Sequence, residues 1–119
     1  MLFGAGCATS RCETVCEKFN ACALSERATD VECSPYCGDV ESLQQRAESE
    51  GQESCDALWQ EHLGCLESNS ARICDTTFSD CSDKGKAWTN CMTSYCAAVA
   101  SQKKTDPNCS AGKPTLTPF

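Results

Sequence analysis

The chain is short of the residues that fill a hydrophobic core. Its 119 residues include only four Phe, two Trp, two Tyr and two Met, and Ile, Leu and Val are also few. A chain of this length forms one domain, or at most two small lobes, and one that buries so little apolar surface usually needs covalent cross-links to fold. No apolar run approaches the roughly 20 residues of a membrane-spanning helix.

Basic residues are outnumbered and scattered. Ten Lys and Arg stand against 17 Asp and Glu, which gives a net charge of −7. Lys103 and Lys104 are the only adjacent basic pair, so no basic stripe forms. A net negative chain of this kind disfavours nucleic acid and anionic membrane surfaces as primary ligands. The acidic residues are spread along the chain, which indicates a solvated surface.

Catalytic and cofactor motifs are also missing. The closest cysteine spacing is Cys-x3-Cys, so the Cys-x-x-Cys pair of thiol oxidoreductases and the Cys-x-x-Cys-His motif of covalent haem are both absent. The single histidine, His62, has no neighbouring residue that marks a catalytic partner, and we expect it to pack beside Trp59. The sequence therefore predicts a protein that is not an enzyme and has no cofactor.

Cysteine is the residue that the chain has in excess, with 13 copies. This density is typical of a disulfide scaffold in an oxidising compartment, which means the periplasm, the cell surface or the extracellular space. Thirteen is odd, and setting Cys7 aside leaves enough cysteines for six disulfides. The twelve predicted disulfide cysteines are Cys12, Cys16, Cys22, Cys33, Cys37, Cys55, Cys65, Cys74, Cys81, Cys91, Cys96 and Cys109.

A zinc site is the alternative for part of this set. Cys12, Cys16, Cys33 and Cys37 would supply four ligands, the usual number for structural zinc. These pairs fall within predicted helices, whereas structural zinc ligands usually stand on turns. We therefore favour disulfides over a metal site.

A degenerate repeat organises the chain. It consists of three Cys-x9-Cys units: Cys12/Cys22, Cys55/Cys65 and Cys81/Cys91. In each unit the apolar positions follow the i, i+3, i+4, i+7 spacing of an amphipathic helix. Phe19, His62 and Trp88 are equivalent within this pattern, which favours a packing role for the histidine. The third unit departs from the pattern at Lys84 and Gly85, so we expect its first turn to be frayed or exposed.

These patterns predict an all-α, disulfide-stapled bundle of about four helices, built from two helical hairpins. The predicted helices cover about Thr9–Leu24, part of Val31–Glu50, a segment capped by Ser54 that ends near Glu67, and a last segment that ends near Gln102. The predicted divisions are an N-terminal segment at residues 1–8, a helical domain at 9–104 and an extended or disordered tail at 105–119. Almost no β-structure is expected, because few runs alternate with period two.

The spacing Cys12-x3-Cys16 and Cys33-x3-Cys37 resembles the α-hairpinin scaffold of plant defence peptides and some trypsin inhibitors. That resemblance covers residues 12–37 and implies the bridges Cys12–Cys37 and Cys16–Cys33. In such inhibitors a basic residue of the interhelix loop enters the protease, and here Arg27 occupies that loop. The structural hairpin and the protease-binding loop stay open as two interpretations.

The units Cys55-x9-Cys65 and Cys81-x9-Cys91 resemble the twin Cys-x9-Cys hairpins of mitochondrial intermembrane-space proteins. The resemblance covers about 37 residues and implies the bridges Cys55–Cys91 and Cys65–Cys81. Four cysteines are then left. Although connectivity cannot be deduced from spacing, we expect Cys74–Cys96 and Cys22–Cys109.

Small residues precede Cys7 in the sequence Gly4-Ala5-Gly6-Cys7. This start looks like the end of a bacterial lipoprotein cleavage site, in which case Cys7 carries a lipid, and the alternative is a free or intermolecular cysteine. Together with Cys12-x3-Cys16, Trp88-x2-Cys91 and Tyr95-Cys96, it resembles the cysteine-rich predicted lipoproteins of myxobacteria-like bacteria. That resemblance implies a place at the outside of a cell.

We therefore expect a non-enzymatic secreted or cell-surface protein that is a structural or binding component of an extracellular assembly. Its partner would be another protein or a further copy of itself, with membrane contact only through a lipid on Cys7. The alternative is a protease inhibitor or secreted effector that uses the Arg27 loop.

Overall fold

The computed structural model of the chain describes residues 10–22, 31–75 and 77–119. Four α-helices and one two-stranded sheet make up its regular structure, which confirms the predicted all-α class. The helices are α1 (Arg11–Asn20), α2 (Cys33–Ser49), α3 (Asp56–Ser68) and α4 (Ser82–Ser101), and the strands are β1 (Cys109–Ser110) and β2 (Lys113–Pro114). Within these residues no helix combines the length and the apolar character needed to cross a membrane.

Helices α1 and α2 form the first hairpin. Ser10 caps α1 because its hydroxyl accepts a hydrogen bond from the backbone N–H of Glu13 at 3.1 Å. Helix α2 ends in a Schellman motif at Gly51, which has a left-handed φ of 82° that glycine adopts without a steric penalty. The disulfides Cys12–Cys37 and Cys16–Cys33 join the two helices, as the α-hairpinin resemblance implies.

Helices α3 and α4 form the second hairpin. The disulfides Cys55–Cys91 and Cys65–Cys81 join them, and these are the pairs implied by the twin Cys-x9-Cys resemblance. Both cysteines of a unit lie near one face of the hairpin, because ten residues are close to three helical turns. Two bridges across one helix pair fix both the spacing and the axial register of the hairpin.

The predicted helix caps are wrong by one or two residues. The sequence Ser34-Pro35 predicts an N-cap at Ser34, but the N-cap of α2 is Glu32, and Pro35 is the third residue of that helix. Cys55, rather than Ser54, is the N-cap of α3. The Ser54 hydroxyl still accepts a hydrogen bond from the backbone N–H of Asp56. In both cases the residue that ends the preceding loop is a bridged cysteine or its neighbour, so the disulfide positions decide where the helix begins.

The equivalent positions of the three Cys-x9-Cys units lie in the core. Phe19, His62 and Trp88, the three equivalent positions, are all buried. In the third unit Lys84 is exposed, but Gly85 is buried in the first turn of α4, so the expected fraying does not occur. A Cβ atom at Gly85 would lie 3.2 Å from the His62 ring and 3.2 Å from Pro118, so glycine here makes room for both.

Two of the predicted disulfides, Cys22–Cys109 and Cys74–Cys96, are wrong. The structure pairs Cys22 with Cys74 and Cys96 with Cys109. The reason lies after α4, where Lys103 has a left-handed φ of 56° and closes a Schellman motif with the carbonyl oxygens of Val99 and Ala100. The chain therefore reverses and returns along α4, which brings Cys109 to Cys96 and away from Cys22.

The C-terminal tail is an ordered part of the fold. Its strands β1 and β2 are antiparallel, with Cys109 opposite Pro114 and Ser110 opposite Lys113. The two connecting residues, Ala111 and Gly112, have φ of 52° and 78°, the left-handed values that a tight two-residue hairpin turn requires. The hairpin lies against α4 and leads to residues 115–119, which cross the end of the bundle.

Candidate functional site

The predicted disulfide cysteines are all engaged in bonds. Of the cysteines in the described residues, each of the twelve has a disulfide partner. The four cysteines considered as zinc ligands are bonded to one another in pairs, so their sulfur atoms are not available as thiolates. Cys7 and Arg27, the other two predicted functional positions, lie outside the described residues.

A polar cleft of about 570 Å³ lies between α1, α2 and α3. Its floor is formed by apolar side chains, including Val40, Trp59 and Leu63. Its walls carry carboxylate, amide and hydroxyl groups, and we call this region the polar cleft. Its lining residues with a formal charge are Arg11, Glu13, Glu41, Glu48 and Asp56.

A chain of hydrogen bonds fixes the side chains on one wall of the polar cleft. The buried indole Nε1–H of Trp88 donates to Oε1 of Gln44 at 2.7 Å. The Nε2 of Gln44 then donates to Oδ1 of Asp56 at 3.3 Å, and Gln60 donates to the same oxygen at 3.3 Å. Gln44 is itself buried, so its amide is fully committed to this network. The network orients Asp56 at the start of α3, where the positive end of the helix dipole favours a carboxylate.

A second polar network fastens the tail to the bundle. The carboxylate of Asp106 accepts two hydrogen bonds from the guanidinium of Arg46, at 2.7 and 2.9 Å, and one from the hydroxyl of Tyr95 at 2.7 Å. It also accepts the backbone N–H of Asn108 at 2.8 Å, and Arg46 donates to the Asn108 side chain at 2.7 Å. The Asp106 side chain is 2% exposed, so these bonds replace water completely.

The network controls the charge of its members. Burial alone would raise the pKa of Asp106, but the hydrogen bonds from Arg46, Asn108 and Tyr95 together lower it below its ordinary value. The pKa of Tyr95 is raised, chiefly by burial and then by its bond to the Asp106 carboxylate. Asp106 therefore stays ionised and Tyr95 stays neutral at neutral pH, which gives the tail a fixed charged anchor.

The residues that follow β2 close the end of the core. We call residues 115–119 the strap. The Phe119 ring stacks on Phe19 with centroids 5.2 Å apart and an interplanar angle of 12°. It also contacts Tyr36 at 5.0 Å and Trp59 at 6.1 Å. These three rings come from α1, α2 and α3, and together with His62 we call them the aromatic box.

Two side chains of the aromatic box hold the strap backbone. The hydroxyl of Tyr36 donates to the carbonyl oxygen of Thr117 at 2.6 Å. The Nε2 of His62 lies 3.2 Å from the backbone oxygen of Phe119, which selects the tautomer with the proton on Nε2. Leu116 packs at the edge of the core. The strap is therefore held by alternate carbonyl groups and by one aromatic side chain.

His62 occupies the place predicted for it. It is 1% exposed, and its ring centroid lies 5.7 Å from that of Trp59. Among the described residues its Nδ1 makes no well-formed hydrogen bond, although the backbone of Cys81 is close enough to act on the ring. Burial lowers the pKa of His62, and the Phe119 and Cys81 backbones offset this only in part. The ring is therefore neutral at pH 7 and is part of the core.

No protein-family model, curated protein or solved structure matches the chain. Among the described residues no group of three or more His, Cys, Asp or Glu is arranged to hold a metal ion.

The sequence patterns predict neither of the two sets of contacts that hold the tail, the network around Asp106 and the aromatic box. Asp106 stands in a segment that carries three prolines and a glycine on its C-terminal side, which is the composition of a loop, and Phe119 is an isolated aromatic residue. One signal was present: an Asp followed by Pro and Asn, with Cys109 immediately after, is typical of a structured turn. The polar cleft could not be predicted, because its lining residues come from three helices, α1, α2 and α3, whose arrangement is set by the whole bundle.

Proposed function

We propose that the chain is a non-enzymatic, secreted or cell-surface protein that acts as a structural or binding component of an extracellular assembly. The observation that carries this proposal is the disulfide frame. Six disulfides in a small helical protein indicate an oxidising compartment. The frame uses twelve cysteines as cross-links and holds the helices in a fixed arrangement that offers a surface for contacts.

The polar cleft is the part of the described surface best suited to a partner. It is concave, it has an apolar floor, and its walls offer hydrogen-bonding groups that are fixed by the Trp88–Gln44–Asp56 network. Sites of this kind combine apolar contact with a few oriented polar groups. The excess of carboxylates on its walls favours a partner with basic or amide groups facing them.

The disulfide frame can be tested on natively isolated protein. An alkylating reagent added without a reductant should modify none of the twelve paired cysteines, and the intact mass should be lower than that of the reduced chain by two hydrogens per bond. Mass spectrometry that found mostly alkylated cysteines would contradict both the frame and the oxidising compartment. The same spectrum would show whether the N-terminus is Met1 or a lipidated Cys7.

The binding role can be tested by charge reversal in the polar cleft. Replacing Glu41 and Glu48 by Lys should reduce the amount of any partner that is cross-linked to the protein in its native assembly. Replacing Glu61 and Asp83 by Lys is the matched control, because it makes the same charge change on α3 and α4 outside the cleft. Equal loss in both variants would argue against the cleft as the contact surface.

A protease inhibitor or effector is the second candidate. It is supported by the two bridges of the first hairpin, Cys12–Cys37 and Cys16–Cys33, which flank the segment that contains Arg27. In that case Arg27→Ala should abolish inhibition of a trypsin-like protease, whereas Arg72→Ala should leave it unchanged. A parent protein that does not inhibit such a protease would remove this candidate.

A further inference from the structure

The aromatic box is built as a receptor for a short peptide. It supplies an aromatic pocket for one side chain, at Phe119, and two hydrogen-bond donors for backbone carbonyl oxygens, at Thr117 and Phe119. Gly85 supplies a shallow wall on which Pro118 rests. These are the elements by which proteins recognise extended peptides: fixed donors for the main chain and a pocket for an anchor residue.

Among the described residues, no disulfide holds the strap itself. The last covalent anchor is the Cys96–Cys109 disulfide, and the buried anchor Asp106 also lies before the strap. Everything that holds residues 115–119 is non-covalent. The strap can therefore leave the aromatic box while the six disulfides and the Asp106 network stay intact.

A hinge stands between the anchor and the strap. Ala111 and Gly112 both have left-handed φ values, and for Ala111 this conformation is sterically unfavourable because of its Cβ. Opening the turn relieves that strain but separates β2 from β1 and breaks the hydrogen bond from the Thr115 N–H to the Asn108 carbonyl oxygen at 2.8 Å, so β2 moves with the strap. The residues from Ala111 to Phe119, fully extended, span about 30 Å, which is long enough to reach a neighbouring molecule.

We propose that the aromatic box accepts the strap of a second copy of this chain, so that copies are linked by exchange of residues 115–119. The exchanged contact is chemically identical to the internal one, because the same groups meet. Exchange of an identical element is an economical route from monomer to dimer. This inference rests on the function proposed above, since it names the protein partner of the assembly.

Charge supports a strap contact over contact between helix surfaces. Each copy carries a formal net charge of −7, so two copies repel each other. The strap has the sequence Thr-Leu-Thr-Pro-Phe and carries no charged side chain, and it is preceded by Lys113. An extended uncharged segment can join two acidic bodies while it keeps them apart, and salt should therefore promote exchange by screening the repulsion.

The internal strap competes with the external one. A segment tethered to its own site has an effective concentration on the order of millimolar. Exchange should therefore be scarce in dilute solution and should increase where copies are crowded. Anchoring of many copies to one surface would provide such crowding.

The test uses the full chain in two forms. A ¹⁵N-labelled Phe119→Ala protein has a vacant aromatic pocket, and an unlabelled parent protein, mixed at about millimolar concentration, supplies an intact strap. We expect the labelled indole and glycine amide signals of Trp59 and Gly85 to shift with parent concentration. Unlabelled Phe119→Ala protein is the control, and with it the shifts should be at least tenfold smaller. Equal shifts with both partners, or none with either, would overturn the proposal.

Folding and the identity of the partner are checked separately. If Phe119→Ala does not fold, Phe119→Leu takes its place as the labelled protein. Leucine fills part of the pocket but cannot stack on the aromatic rings. The strap of the parent should then compete with it for the pocket more weakly. A synthetic peptide of residues 113–119 should produce the same shifts as the parent, and its Phe119→Ala form should not. Binding of the peptide without any effect of the parent protein would reject a second copy as the partner. That result would not contradict the function proposed from the disulfide frame. Free thiols in the parent, in contrast, would contradict that function and would not contradict the strap exchange.

Discussion

The two helical hairpins and the C-terminal tail are held by different kinds of force. Each hairpin is closed by two disulfides that follow from cysteine spacing. The tail has one disulfide, Cys96–Cys109, and is otherwise held by a buried carboxylate and an aromatic ring. The hairpins are therefore stabilised largely through restriction of the unfolded chain, and the tail through contacts of the folded chain.

The difference shows how a chain with few apolar residues can order its whole length. Covalent bonds hold the helices where the core is thin, and the tail then adds Phe119 and Leu116 to that core. The tail thus completes the hydrophobic interior that the helices leave open at one end. Substitutions and changes of pH can separate the two kinds of stabilisation.

The largest effect is expected for the disulfide that joins the two hairpins. Cys22–Cys74 closes a sequence separation of 52 residues, the widest of the six, whereas Cys65–Cys81 closes 16. Since the entropy lost by the unfolded chain grows with loop length, Cys22→Ala with Cys74→Ala should lower the free energy of unfolding by about 4 kcal/mol, and Cys65→Ala with Cys81→Ala by about 3 kcal/mol. Guanidinium unfolding under non-oxidising, non-reducing conditions measures both, and a larger loss in the second variant would contradict the loop-length argument.

The next effect concerns the tail anchor. Asp106→Asn removes the charge that pairs with Arg46, and we expect it to lower the free energy of unfolding by about 2–3 kcal/mol, because hydrogen bonds to a buried charged group are lost. The Arg72–Asp80 pair is the control: its side chains are 52% and 55% exposed, so Asp80→Asn should cost less than about 0.5 kcal/mol. Similar losses in both variants would show that the buried network adds nothing.

The loss of stability in acid gives an independent measurement of what Asp106 contributes. The pKa of Asp106 is lower in the folded protein than the value of about 3.9 in an unfolded chain. Its contribution is therefore fully present above that unfolded value and is lost as the pH falls through the folded one. The parent should lose more stability than Asp106→Asn on acidification below about pH 4.

His62 should produce a smaller, pH-dependent effect. Its pKa is lowered in the folded protein, so below about pH 6.5 the unfolded chain takes up a proton that the folded protein does not. Stability should therefore fall as the pH decreases from about 6.5, by at most about 1.4 kcal/mol per pH unit. Thermal or denaturant unfolding of His62→Gln at pH 7 and 5.5 should show a weaker pH dependence than the parent. An unchanged slope would mean that His62 titrates as it does in the unfolded chain.

The smallest effect is expected at the strap. Tyr36→Phe removes the hydroxyl that donates to Thr117, and because the acceptor is a neutral carbonyl, the loss should be about 1 kcal/mol. Tyr95→Phe is the matched comparison, because its hydroxyl donates to the Asp106 carboxylate and should cost about 2 kcal/mol. A reversed order in equilibrium unfolding would mean that the strap is held more tightly than the anchor.

Most of the helical frame could be predicted from the sequence, and the tail could not. The spacing of Cys12, Cys16, Cys33 and Cys37 fits helix-forming segments, and its resemblance to a known hairpin scaffold implies how these cysteines pair. The pairing of Cys96 depends on the chain reversal at Lys103, a left-handed lysine at a position where glycine is the usual signal. Similarly, Asp106 and Phe119 depend on partners that are far away in the sequence: Arg46 is 60 residues from Asp106, and His62 is 57 residues from Phe119.

The prediction of the functional site from the sequence was limited for a related reason. Equivalence of Phe19, His62 and Trp88 in the repeat correctly assigned the histidine to the core. The polar cleft combines residues of α1, α2 and α3 whose arrangement is set by the whole bundle, so no local sequence pattern predicts it. Arg27 and Cys7 remain predictions that depend on sequence resemblance.

The order of the disulfides along the chain has a consequence for proteolysis. The bridges from Cys12 to Cys91 overlap, so a protease that cuts at any peptide bond in that range leaves two pieces still covalently joined. Between Cys12 and Cys109 only the stretch from Cys91 to Cys96 lies outside every bridge. That stretch is inside helix α4, where Met92 and Tyr95 are buried, and a protease cannot reach it without unwinding the helix. A nicked molecule should therefore keep its pieces together until a reductant separates them.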